Sequence, residues 1–316
     1  MNASPVSKIL VLDNSTEHAQ LIKGFCDANN LVPMKVRNGA VMSVLRTNID
    51  LGGILFSESY GETPEQTAAI ASQIHAARPE LPIIIRREGR ATLEDLPPEA
   101  RRAYCAAYTA GDLGALRRII DEYIFCLMYP NALLRGIAEI TEAVLCAQCP
   151  SLQLSMDTPY IVRDRVIFGE LFSLIQLESA WCRGYMMLQS EEGPFMELLG
   201  RRRGATVGFR DVNDLLSEIT NLVWGAFKNR YIGDAGAAGP KQVQVPLIVN
   251  HKHRYISFGS ENPQLCFRFT LTDPATARAT TLYARFVFNL SWSPDDFKEI
   301  PQELAGLVDS GELELF

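Results

Sequence analysis

The first 125 or so residues alternate between two kinds of hydrophobic pattern. Short, nearly unbroken apolar runs read as buried strands, and stretches with apolar residues three and four apart read as amphipathic helices. In order, "KILVLDN" predicts a strand ending at Asp13, and "STEHAQLIKGFCDANN" a capped helix. "VPMKVR" is a second strand, followed by a helix from about Gly39 to Thr47 and the strand "GGILFS". A helix around Glu65–Ala77 leads to the strand "LPIIIRR", then "RRAYCAAY" supplies a fifth strand and "GDLGALRRIIDEYIFCLM" a last helix. Strands and helices in this rhythm predict an α/β domain on a doubly wound parallel sheet, with its crevice at the carboxyl ends of the strands.

From about Asn131 the rhythm changes. "LLRGIAEITEAVLCAQ" is a long helix, and "FSLIQLESAWCRGYMMLQSEEG" reads as a hairpin turning near Trp181. "PFMELLGRRR" is a short helix with Pro194 in its first turn. A second long helix runs through "RDVNDLLSEITNLVWGAFK", with Asp211 expected as its cap. A Gly/Ala loop, "GDAGAAGPK", is followed by three strands, "VQVPLIVN", "LCFRFTLT" and "LYARFVFNL", and an acidic tail with a short helix around Gln302–Val308. Long helices on one antiparallel sheet predict an α+β domain. The expected domains are therefore residues 1–128 and 129–316.

Within the second long helix, Val212, Leu215, Leu216, Ile219, Leu222, Val223 and Ala226 form the core-facing stripe. The opposite side carries Asp214, Ser217, Asn221, Gly225 and Lys228, with Glu218 at its edge and Trp224 turned towards it. A polar helix face is ordinarily just solvated. A glycine inside a helix, however, costs about 1 kcal/mol against alanine, and an aromatic beside it marks a contact surface.

Composition narrows the classes. The chain has 316 residues, 47% of them hydrophobic, and a formal net charge of −7. That charge argues against a nucleic-acid or anionic-membrane partner. "YIFCLMYPNALL" is too short to span a bilayer, and no secretory signal opens the sequence, so a cytoplasmic protein is expected. The seven cysteines read as free thiols. Cys146 and Cys149 form a C-x2-C with no second pair, and His251 and His253 would share one side of a strand. Neither pair completes a metal site, so no metal or cofactor of its own is expected.

The first domain resembles a response-regulator receiver, on its element order and "ILVLDN". Such domains are phosphorylated on an aspartate at the end of the third strand. Here the acidic pair after the first strand stands as Asp13 and Asn14, and the acceptor position falls on Ser57, followed by Glu58. Arg86 or Arg87 takes the place of the hydroxyl residue after the fourth strand, and Tyr108 and Thr109 that of the lysine-proline after the fifth. Magnesium needs carboxylates to hold it, and the phosphoryl group needs the lysine. The resemblance thus implies a pseudo-receiver used for docking or dimerisation, the alternative being phosphorylation of Ser57 or Glu58. Arg86 or Arg87 pairing with Asp13 or Glu58 is the expected substitute for the metal.

The second domain resembles the CheX/CheC family of chemotaxis phosphatases, which remove the phosphoryl group from a receiver such as CheY. Their motif, a helix with Glu, two residues, then Asn, followed by Gly and Lys, stands here as Glu218, Asn221, Gly225 and Lys228. One copy is present, which matches the CheX branch. The resemblance implies catalysis by Glu218 and Asn221, docking through Asp214, Trp224, Gly225 and Lys228, and a phosphorylated receiver carrying Mg2+ as partner. It also implies a homodimer. The rival expectation is a non-catalytic adaptor in a two-component pathway.

Overall fold

The computed structural model describes residues 4–36, 39–203, 207–233, 247–259 and 262–300. The Gly/Ala loop from Asp234 onwards, "VQVP" of the next expected strand, and the helix expected at Gln302–Val308 lie outside them. The chain forms two compact units. The first unit comprises 1–128 together with 158–167 and 247–266, and the second the other described residues.

The first unit is built on five parallel strands, β1 (Ser7–Leu12), β2 (Leu31–Lys35), β3 (Leu51–Ser57), β4 (Ile83–Arg87) and β5 (Ala106–Thr109), in the order β2-β1-β3-β4-β5. This doubly wound order places its switch point between β1 and β3. All seven residues of β3 are buried, as the central strand of a sheet covered on both faces requires. Helices α1 (Thr16–Ala28), α2 (Val41–Thr47), α3 (Pro64–Ala77), α4 (Pro98–Arg101) and α5 (Leu113–Tyr123) connect the strands. Ser15 caps α1, Thr63 caps α3 and Asp112 caps α5, each accepting from a backbone N–H three residues on. The fifth strand is shorter than expected. Pro98 pre-sets the start of α4, which takes Arg101, so the strand begins only at Ala106.

The later segments join this unit by pairing. Strand β7 (Tyr160–Val162) meets β1 through a parallel bridge from Val6 to Tyr160, and Ser7 Oγ donates to Ile161 O at 2.8 Å. Gly52 is needed at this crossing, because a Cβ there would collide with Ser7 Oγ and crowd Ile161 O. Of the next expected strand, the described Ile248–Asn250 form β10, which makes a separate two-stranded sheet with β11 (Tyr255–Ser257), and Tyr255 donates to Glu80 at 2.6 Å. His251 and His253 lie exposed in the turn between β10 and β11 rather than on a strand, so strand alternation does not govern them.

The second unit holds α6 (Asn131–Gln148), α7 (Glu192–Arg203) and α8 (Phe209–Phe227) with strands β6 (Gln153–Met156), β8 (Leu171–Glu178), β9 (Cys182–Ser190), β12 (Gln264–Thr272) and β13 (Ala279–Trp292). The antiparallel order is β6-β12-β13-β9-β8. The first three residues of β12 pair with β7 and count with the first unit. Strands β8 and β9 are the expected hairpin around Trp181, from Leu171↔Ser190 to Glu178↔Arg183.

Helix α8 packs on α6, α7, β8 and β9. It buries Val212, Leu215, Leu216, Ile219, Val223 and Phe227, while Leu222 is half-buried. At about 1.5–3 kcal/mol per buried side chain, this stripe contributes on the order of 10 kcal/mol and fixes the rotation of the helix. Asp211 is not its cap. The helix starts at Phe209 after extended Gly208, which has no side chain to cap with, and Asp211 Oδ2 reaches back to accept the Gly208 N–H at 2.8 Å.

Beyond Phe227 the chain runs on as one π-helical turn, Lys228–Ile232, ended by Gly233 at φ +65. Tyr231 anchors this turn. Its carbonyl accepts the Trp181 indole N–H at 2.9 Å, and its hydroxyl lies over Gly136 and donates to Ala132 O at 3.2 Å. Arg230 ties the same turn to Glu139 at 2.9 Å and to Glu299 at 2.6 Å.

Candidate functional site

Two groups of residues answer to the sequence reading, one in each unit. In the second, the buried stripe of α8 decides what its other face presents. Asp214, Ser217, Glu218 and Asn221 are exposed, and Trp224, Gly225 and Lys228 are half-buried. Three residues apart on one helix, Glu218 and Asn221 are neighbours with Cβ atoms about 5–6 Å apart. An acceptor-only anion therefore stands beside a neutral amide that both donates and accepts. A Cβ on Gly225 would meet nothing within 4 Å. No packing among the described residues demands that glycine, which leaves space in front of the backbone one turn beyond Asn221. Lys228 Nζ lies 5.7 Å from the centre of the Trp224 ring, a cation–π distance.

One contact to this face was not legible in the sequence. Gln148, the last residue of α6, donates from Nε2 to Glu218 Oε1 at 3.3 Å. Cys146 and Cys149 sit at the same helix end, the first exposed and the second buried at the C-cap. Among the described residues, no three His, Cys, Asp or Glu side chains come together as a metal-holding group.

In the first unit, the carboxyl ends of β1, β3, β4 and β5 bring the residues singled out in the sequence into two clusters. Asp13 is buried just beyond β1. Arg86 meets it with both arms of its fork, Nε to Oδ2 at 2.6 Å and Nη2 to Oδ1 at 3.1 Å, and Nη2 also donates to Ser57 Oγ at 2.8 Å. The Ser15 N–H adds a third bond to the carboxylate at 2.8 Å. Burial works against the Arg86 charge, but the bonds to Asp13 outweigh it and its pKa is raised.

Tyr108, buried at the end of β5, has its hydroxyl 3.1 Å from His18 Nε2, and that nitrogen is 3.8 Å from Asp13 Oδ2. Burial lowers the His18 pKa, Asp13 partly offsets this, and Arg86 lowers it further. Burial pushes the Tyr108 phenol well above its usual range. His18 was missed in the sequence, although its place in the first turn of a helix just after Asp13 is the signal for it.

The second cluster is separate and more exposed. Arg87 pairs with Glu58 at 3.0 Å and with Asp95 at 2.8 Å. Glu58 Oε2 also accepts the Glu88 N–H at 2.9 Å. Asn14 donates to Tyr60 O at 2.9 Å. The two adjacent arginines thus each neutralise one of the two carboxylates, Arg86 serving Asp13 and Arg87 serving Glu58.

No protein-family model and no curated protein matches this chain. About half of it is similar to solved chemotaxis proteins. These include a chemotactic CheC-like protein from Shewanella oneidensis, at 18% identity over 48% of this chain and 95% of that one, with a TM-score of 0.33. CheX from Vibrio vulnificus is matched at 18% identity over 48% and 96%, with a TM-score of 0.32. A CheX–CheY–BeF3–Mg complex from Borrelia burgdorferi is matched at 11% identity over 48% and 94%, with a TM-score of 0.28. At these identities and scores the likeness says nothing of activity. No helix among the described residues is long and apolar enough to cross a membrane.

Proposed function

We propose that this chain is a CheX-like phosphatase that hydrolyses the aspartyl phosphate of a partner response-regulator receiver. The observation that carries this reading is the exposed Glu218–Asn221 pair on α8, with open space at Gly225 beside it. An aspartyl phosphate is hydrolysed by in-line attack of water, and the receiver itself brings Mg2+ and a lysine. What a second protein adds is position. Asn221 suits that task because a neutral amide can orient water without repelling the phosphoryl oxygens. Glu218 can accept the receiver's lysine in a charge-assisted bond. Asp214, Trp224, Gly225 and Lys228 border the pair as docking surface. The first unit acts as an unphosphorylatable pseudo-receiver, the protein works in the cytoplasm, and the chain pairs as a homodimer.

The test is phosphate release from a panel of phosphorylated receivers. Asn221→Ala leaves the buried stripe intact and is expected to slow release by ~10²-fold or more, the usual cost of losing one positioned polar group in a transition state. Glu218→Lys sets like charge against the receiver's lysine and is expected to weaken docking as well. An Asn221→Ala protein as fast as its parent removes the catalytic assignment.

One observation favours a second reading, a non-catalytic adaptor: the chain already carries one site whose reactive positions are closed by arginine. Binding of a receiver without any acceleration of its dephosphorylation would establish that reading instead.

A further inference from the structure

We infer that Gln148 is a positioning residue for Glu218, so that the end of α6 belongs to the docking surface together with α8. This rests on the phosphatase reading, which assigns Glu218 the receiver's lysine. Glu218 is exposed, and an exposed glutamate samples many rotamers whose loss opposes docking. Gln148 offsets this by holding one carboxylate oxygen, Oε1, at 3.3 Å and leaving Oε2 for the partner. Only the nitrogen end of an amide can face a carboxylate, so the direction of this bond is set by chemistry.

The residue type matters as much as the contact. Lysine or arginine at 148 would neutralise Glu218 within the chain and compete with the incoming cation. Glutamate there would repel Glu218 and displace it. A neutral donor is the one kind of side chain that orients the carboxylate and leaves its charge in place. The packing of α6 against α8 supplies the rigid base for this.

The experiment compares parent, Gln148→Ala and Gln148→Lys on a phosphorylated receiver that the parent dephosphorylates. Each protein is also titrated against that receiver loaded with beryllofluoride and Mg2+. Gln148→Ala is expected to raise KM and Kd by ~3-fold, the scale of an exposed contact to a charged group, with kcat within twofold of the parent. Gln148→Lys is expected to raise both by ~10-fold or more, and the excess should shrink as salt is added. Thermal midpoints should match the parent, because Gln148 ends its helix and lies on the surface.

Gln148→Lys binding and turning over like the parent overturns the inference while leaving the phosphatase reading intact. Equal losses in kcat, with KM unchanged, also overturn it, since they place Gln148 in the chemistry and not in docking. A parent that neither binds nor accelerates any receiver refutes the phosphatase reading, and this inference falls with it.

Discussion

Replacing Arg86 with methionine is the most direct probe of the first unit. The change keeps much of the side-chain volume and removes three bonds, two to Asp13 and one to Ser57. Asp13 remains buried and keeps the Ser15 N–H bond, with His18 Nε2 3.8 Å away. Breaking a buried ion pair by removing one partner typically costs about 3–5 kcal/mol. The retained Ser15 bond places the change at the low end of that range, so a loss of about 3 kcal/mol is expected. For a body of this size about 2–4 °C accompanies each kcal/mol, and the thermal midpoint of the first unit should fall by roughly 6–12 °C.

The assay must resolve the two units. All three tryptophans, at 181, 224 and 292, belong to the second. Tryptophan fluorescence therefore serves as the internal control, while calorimetry and hydrogen exchange at the β1, β3 and β4 amides follow the first unit. The double variant Asp13→Asn/Arg86→Met should recover more than half of the loss, because no charge is then stranded. A single variant within about 1 kcal/mol of the parent, or a double variant no better than the single, would refute the account of Arg86 as the permanent counter-charge of Asp13.

Three further outcomes are expected. Incubation with a small-molecule phosphodonor and Mg2+ should add no phosphoryl mass to the chain. A stoichiometric gain that Ser57→Ala or Glu58→Ala abolishes would instead make the first unit a working receiver. His18 is a base whose folded-state pKa is lowered, chiefly by burial, so its neutral form supports the fold. That contribution is present above about pH 6.5, the ordinary value, and is lost as pH falls from there towards the depressed folded-state value. His18→Gln should flatten the slope of first-unit stability against pH in that window. Gly136→Ala would drive a methyl group into the Tyr231 hydroxyl. Because Tyr231 is buried and packs on Phe227 and Phe297, it cannot simply swing aside, and a cost of about 1–3 kcal/mol is expected in the tryptophan-monitored unit.

The local patterns in the sequence carry far. The strand–helix alternation of the first 125 residues, the hairpin around Trp181 and the two long helices follow from periodicity, which acts over a few residues, with side-chain caps adding to it at α1, α3 and α5 but not at the two long helices. The α8 column was legible for the same reason: a helical period fixes which side chains share a face, and burying Leu215, Ile219 and Val223 forces Asn221 outward. That Asp13, Ser57 and Tyr108 stand at the ends of their strands was legible from the strand pattern. Non-local contacts were not. Which later segments join the first unit depends on pairing between Val6 and Tyr160, and between Val166 and Tyr255, and no short window contains either pair. Gln148 reaches Glu218 across 70 residues because α6 packs on α8. The two arginines show the limit most sharply. Neighbours on a strand point to opposite faces, so sequence alone predicts that one of Arg86 and Arg87 can meet Asp13 but not which. That choice was made by the register of β4 against β3, which sets Arg86 opposite Ser57 and leaves Arg87 to Glu58 and Asp95.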